Sequence, residues 1–412
     1  MALYKFDKSI DLFVRATKKI PNGIYGHVSP ALAVPGEFPY YAASGKGSRY
    51  TDVDGNEFID YMCAYGPMVL GYNHPEVEAA VAAQRERGNC LNHPGEVMVQ
   101  LAEALTDIVP FADWAVFAKN GSDVTTWALQ VAREHTQKRK IIMARGTYHG
   151  AHAWCTPGHG GIIDEDRAQI KYFKFNDIDS FYKVIEEHRG DIAGCIMTPY
   201  HHPTFADQIM PAEGWWKKIQ KACNDEGIVL ILDDVRAGFR LDLRGSQEYF
   251  GFSPDMACYC KALGNCYPIS SCVGRDYLKG AASRVFLTGS YWNSAVPMVA
   301  ALTVIKVLKE TNGIQKMMDF GNKLSKSLID LAKSHGLQYK FTGPPTIPFP
   351  SFANENNFFR NQRFCSEITR RGSFFHPSHN WFVSTAHSDE DLKETLKAAD
   401  EAFAIVKKEF GS

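Results

Sequence analysis

Five apolar residues in a row, Ile228-Val229-Leu230-Ile231-Leu232, run straight into two acids, Asp233 and Asp234. An unbroken apolar run of this kind has no polar face to turn to water. It reads as a strand covered on both sides, the type found in parallel sheets flanked by helices. Its acids fall at the carboxyl end of the strand, where open α/β sheets bind their ligands. The run therefore restricts the chain to a layered α/β architecture and places Asp233 beside a binding crevice.

A second apolar run, 256–260, ends in Lys261, and a turn carrying Gly264 and Pro268 follows. The neighbours of Lys261 are Cys260, Ala262 and Leu263, not the polar company of a surface lysine. An amine held in an apolar site has a lowered pKa and becomes a usable nucleophile. Taken by itself, the same pattern also fits a lysine snorkelling from a strand end. Upstream, the buried strand 114–118 leads into Lys119-Asn120-Gly121-Ser122-Asp123 and then a helical pattern. Strand, glycine turn and helix start make an anion site, because free N–H groups and the positive end of the helix dipole face the ligand. Ser122 could equally be no more than an N-cap. A further strand, 140–144, precedes Gly146-Thr147-Tyr148-His149-Gly150.

The pattern Leu-Asp-Asp-Val-x-x-Gly-Phe-Arg over 232–240, followed by Lys-Ala-Leu-Gly-x-x-x-Pro over 261–268, resembles the class III pyridoxal-phosphate aminotransferases. Within that family it resembles the branch containing glutamate-1-semialdehyde aminomutase, and the likeness spans about residues 8–408. The resemblance implies the type I fold of these enzymes, an α/β fold with a mainly parallel sheet wrapped by helices and a small α+β domain from both termini. It implies pyridoxal 5'-phosphate as cofactor, Lys261 as its Schiff-base lysine and Asp233 as partner of the pyridinium nitrogen. Gly121 and Ser122 match the family's phosphate cradle. Tyr148 matches the ring that stacks on one face of the cofactor, and Val235 matches the valine on the other. Ser290, aligned with a family threonine, would reach the phosphate of a neighbouring subunit, so a homodimer with shared active sites is implied; Thr288 is the fallback.

Residues 1–62 and 311–412 are expected to form the small domain, and 63–310 the large cofactor-binding domain. The segment 48–60 alternates around Asp54-Gly55-Asn56, a strong hairpin signal. Residues 8–20 read as an amphipathic helix. In the last helix, Ser388 is placed as N-cap ahead of Asp389-Glu390-Asp391. Substrate contacts are expected from Tyr25, Tyr65, Trp154 and His202. The pair His201-His202 follows the strand 191–198, where it either shapes the pocket or lies exposed on its loop. No metal site is expected: His149/His152 and His376/His379 lack both helical context and companion acids or cysteines.

The expected activity moves an amino group from an amine or amino acid donor to a carbonyl acceptor, through the Lys261 Schiff base and a pyridoxamine intermediate. The same residues would serve an aminomutase or a racemase, and a family member without catalysis would be a binding protein. The aminotransferase is preferred. The opening loop carries Tyr25, His27 and Ser29 where the aminomutase branch has an arginine, and the glycine-rich loop 154–166 is shorter than that branch's gating segment. With 45 basic against 46 acidic side chains, nothing points to nucleic acid or a membrane surface. No apolar run spans a bilayer, and the opening residues lack a signal-peptide centre. Ten scattered cysteines read as reduced thiols of a cytoplasmic protein.

Overall fold

The computed structural model describes residues 3–25, 29–203, 205–355 and 357–411. The chain divides into two compact units, Met1–His74 with Gln315–Ser412, and Pro75–Ile314. Residues 63–74 thus belong with the chain ends.

In the first unit, β1 (Ala42–Lys46), β2 (Arg49–Asp52) and β3 (Glu57–Asp60) run antiparallel in sequence order. The turn between β2 and β3 closes because Asp52 Oδ1 accepts from the N–H groups of Asp54 and Asn56, both at 2.9 Å. Gly55, at φ 88°, supplies the left-handed step. The opening helix is Asp7–Ala16, shorter than the 8–20 pattern predicts. The chain turns at residues 17–20 instead, where Thr17, Lys19 and Ile20 hydrogen-bond back to the last helical carbonyls.

The second unit holds a seven-stranded sheet. Its strands are β4 (Trp114–Ala118), β5 (Lys140–Ala144), β6 (Ile170–Phe173), β7 (Ile192–Met197), β8 (Val229–Asp233), β9 (Met256–Tyr259) and β10 (Ser270–Gly274). They lie in the order β4-β10-β9-β8-β7-β5-β6. All neighbours pair parallel except β10, which runs antiparallel to both β4 and β9. Every residue of β7, β8, β9 and β10 is buried, which is why β7, β9 and β8 as far as Leu232 read as largely apolar runs, whereas β10 opens on two buried serines, Ser270 and Ser271. Edge strand β6, Ile-Lys-Tyr-Phe, buries only its two end residues and gives no such run, so it is not evident from the sequence pattern. The helix Gly121–Thr136 lays Val124, Trp127, Ala128, Val131 and Ala132 into the core beside Ile141, Ile196 and Ile231. Each large apolar side chain buried this way is worth roughly 1.5–3 kcal/mol relative to exposure.

The remainder of the first unit supplies β11 (Tyr339–Thr342), β12 (Phe349–Phe352) and β13 (Ser373–Phe374). The proline-rich stretch 343–350 proves to be the turn and the first two residues of the second strand of an antiparallel pair. β13 joins β3 in parallel. Phe375 stacks on Trp381 at 3.7 Å and 15°. The last helix, Asp389–Phe410, starts with a capping box in which Ser388 and Asp391 bond reciprocally. Among the described residues no helix is long and apolar enough to cross a membrane.

Candidate active site

The carboxyl ends of the parallel strands carry the polar residues that the sequence singles out. β8 ends at Asp233, whose register partner on β9 is Cys258, and Lys261 follows just beyond β9. Asp233 is 5% exposed. Its Oδ2 lies 2.7 Å from Nδ1 of His149, and its Oδ1 accepts from the Val235 N–H at 3.2 Å. The carboxylate is thereby aimed before any ligand arrives. Lys261 keeps a partial opening to solvent, yet enclosure by protein lowers its amine to about 8. Burial contributes most, and the guanidinium of Arg236 pushes the same way. The lysine also sits at φ 39°, a left-handed conformation that a non-glycine residue adopts only when its surroundings hold it there.

His149 is the functional neighbour that sequence reasoning missed, having weighed it only as a metal ligand. Its side chain is fully enclosed, and its Nε2 finds no hydrogen-bond partner among the described residues. The ring is stacked with Trp154 at 6.1 Å and 19°. Trp154 in turn donates through Nε1 to Thr126 Oγ1 at 2.8 Å, and Thr125 Oγ1 donates to the His149 carbonyl at 3.0 Å. The first turns of the helix Gly121–Thr136 thus brace the histidine that braces Asp233. Arg236, next to Val235, is a second residue the motif reading left without a role.

Gly121 and Ser122 open that helix, whose first N–H groups have no acceptor within it. Asp123 Oδ2 accepts from the Asn120 N–H at 2.8 Å and squares the turn. A Cβ on Gly121 would come within 2.8 Å of Val235 Cγ1, and one on Gly150 within 2.4 Å of Ser122 Oγ. Glycine is therefore required where these three segments converge. Ser122 Oγ accepts from the Ala151 N–H at 2.9 Å and keeps its own proton to donate. Val235 is half-buried, and Tyr148 is 37% exposed. A lysine amine near pKa 8, an oriented carboxylate, a helix start with a free hydroxyl proton, and walls of valine and tyrosine together suit pyridoxal phosphate.

Other candidates fall elsewhere. His201 and His202 are both buried, which overturns the exposed-loop alternative. His201 Nδ1 meets Thr147 Oγ1 at 3.1 Å, and its ring stacks on Phe175 at 5.3 Å. His202 lies edge-on to Tyr200, and burial pushes it well below the usual histidine value, so it is neutral. Trp154 is engaged with His149 and Thr126, which gives it a bracing part besides any substrate contact. Ser290 and Thr288 are exposed on the segment ahead of the helix Ala295–Glu310, flanked by Phe286 and Tyr291 at 85% and 70% exposure. Tyr65 and Tyr25 belong to the first unit. The Tyr65 ring meets His376 at 6.1 Å and His379 at 5.5 Å, while Tyr25 is 87% exposed. His27 lies outside the described residues.

The family model for class III aminotransferases matches residues 33–396. The chain is 42% identical over 402 residues to an aminopentol aminotransferase from Sphingopyxis macrogoltabida, covering 98% of this chain and 95% of that protein. It is 36% identical over 409 residues to a 3-aminobutyryl-CoA aminotransferase from Cloacimonas acidaminovorans, covering 98% of each. Against a glutamate-1-semialdehyde 2,1-aminomutase from Methanosarcina acetivorans the identity is 32% over 418 residues, covering 95% of this chain and 97% of that protein. Among solved structures, the PLP internal aldimine form of the FumI protein from Sphingopyxis sp. MTA144 superposes with a TM-score of 0.96 at 41% identity, covering 98% of each chain.

Proposed function

This chain belongs to the class III aminotransferases, and from that membership we propose how its own residues divide the work. The enzyme is a pyridoxal-phosphate-dependent aminotransferase acting on small-molecule amine and carbonyl substrates. When bound, the cofactor supplies an electron sink for the charge that develops at the carbon bearing the amino group. Lys261 moves the proton at that carbon. Its lowered pKa keeps a usable fraction of free amine near neutrality, which a lysine at its ordinary value would not have. Asp233 holds a proton on the ring nitrogen, and His149 fixes the carboxylate's direction. Val235 and Tyr148 flank the ring, and the N–H groups of Gly121 and Ser122, with the Ser122 hydroxyl, receive the phosphate.

The observation that carries this reading is the pairing of β8 with β9, which brings Lys261 and the Asp233–His149 pair together at the carboxyl ends of two central strands. Borohydride reduction in the presence of pyridoxal phosphate, followed by peptide mapping, should leave the pyridoxyl label on Lys261. A label on another lysine would sink the assignment. Reaction type is decided separately. Given a donor amine alone, the enzyme should release no more than one carbonyl product per site until an acceptor is added. Sustained turnover of one substrate without acceptor would make it an aminomutase or racemase.

Two relatives are named for aminopentol and 3-aminobutyryl-CoA, which supports a donor amine borne on a larger tail. A homodimer is supported by the exposed aromatic side chains of Phe286 and Tyr291 around Ser290, since monomers seldom expose such groups together. In that dimer Ser290 serves the partner's phosphate site. Free cysteines throughout the described residues support a cytoplasmic home.

A further inference from the structure

A cavity of about 410 Å³ is lined in part by Tyr148. Tyr148, Trp154 and Tyr172 give it aromatic walls, and Arg145, His159 and Arg167 bring cationic or ionisable nitrogen to it. Among the described residues that line it there is no acid. The two guanidinium groups are held differently. Arg167 donates to the carbonyl oxygens of Ala153, Thr156 and Gly158 at 3.2, 2.6 and 3.0 Å, which pins the loop over the cavity. Neutral carbonyls satisfy its hydrogen bonds without cancelling its charge. Arg145 is exposed and lies over the Tyr172 ring, 5.0 Å from the centroid. Two positive charges thus face one concave, aromatic-walled space, where low-dielectric walls focus their field and raise the local concentration of anions.

We propose that this cavity is the tail subsite of the amine donor and takes a tail that ends in an anion, a carboxylate or phosphate on an apolar stem. The inference rests on the aminotransferase reading, because it places the tail beside the ring assigned to the cofactor. The aromatic walls cover the stem. Arg145 meets the anion with a planar pair of donors suited to carboxylate or phosphate oxygens. Arg167 adds its field and keeps the loop closed over the tail.

The test uses the holoenzyme with two primary amines that differ only in the tail end, one a phosphate monoester and one the free alcohol. In the parent enzyme kcat/KM should favour the phosphate-tailed amine. Arg145→Gln should cut that preference by about tenfold or more, the worth of one charge-assisted contact, through KM rather than kcat. Arg145→Glu should reverse it. Calorimetry with n-hexyl phosphate, hexanol and inorganic phosphate reads the same subsite without turnover. Hexyl phosphate should bind best and lose about tenfold in Arg145→Gln, by the same arithmetic. An unchanged preference in both variants, or hexyl phosphate binding no better than hexanol, overturns the proposal. Should the parent enzyme transfer an amino group from no donor in a wider panel of amines, the aminotransferase reading fails, and calorimetry still decides the subsite.

Discussion

At the scale of single residues, two neighbouring aspartates face different partners. Asp233 is held by His149 and the Val235 N–H. Asn at 233 fills the same space but cannot hold a proton on a ring nitrogen. A charge-assisted bond is worth roughly 1.5–3 kcal/mol. Asp233→Asn should therefore slow kcat at least about tenfold, at about 1.4 kcal/mol per decade, with cofactor binding and fold retained. Near-native turnover would show the aspartate to be structural. Asp234 turns the other way. Its Oδ2 accepts from the Ser246 N–H at 2.9 Å, and burial raises its carboxyl to about 7. Between its ordinary value and 7 the folded state binds more protons than the unfolded one, so this group makes stability fall as pH rises through that window. Asp234→Asn should flatten that fall, read as the difference between the two proteins' Tm from pH 4 to 7. A parallel pair of curves would refute it. Both acids were legible in the sequence because an apolar run cannot end in acids without a reason. His149 was not, since its bond to Asp233 joins residues 84 apart and no local period records it.

At the scale of elements, strain gathers where β9 leads into β10. Lys261, Asn265 and Cys266 take φ of 39°, 41° and 80°, each an expense of about 1–3 kcal/mol that the flanking strands must hold in place. The helix start opposite is shaped by close approach instead. Gly150, at φ 132°, leaves no room for a side chain above Ser122 Oγ. Gly150→Ala should lower stability by roughly 2 kcal/mol. By displacing Ser122 it should also weaken cofactor affinity at least about tenfold in a titration at fixed pH, the equivalent of one lost hydrogen bond to a charged group. Unchanged affinity would remove Ser122 from the phosphate site. The inner strands were readable because burial on both faces writes a continuous apolar word. Edge strand β6 and the burial of His201 and His202 were not, because polar letters in a sequence do not say whether a fold will cover them.

At the scale of the whole molecule, both chain ends enter one compact unit while the candidate site lies in the other, apart from the Ser290 proposed to come from a second copy. Subunit exchange tests that arrangement. Mixing a Lys261→Ala chain with a Ser290→Ala chain should give dimers with one doubly defective site and one intact site, restoring tight cofactor binding at the latter. If exchange occurs and nothing is restored, Ser290 does not act across an interface. In the sequence such a partner shows only through the resemblance that aligns Ser290 with a family threonine, whereas the structure adds the exposed aromatic residues around it.

The strand order has one more outcome. Ser122 follows β4, His149 follows β5, Asp233 ends β8 and Lys261 follows β9, so their parent strands stretch from one edge of the sheet almost to the other. No fragment of the sheet assembles all four, and a ligand gripping them has nothing to grip in an unfolded or half-built chain. At about 100 times its Kd such a ligand adds about 2.7 kcal/mol to the native state by mass action. The fraction of molecules open to proteases then drops by roughly a hundredfold. Withholding pyridoxal phosphate should thus shorten the chain's half-life under a protease, and an equal half-life with and without it would show that the ligand does not bridge these strands.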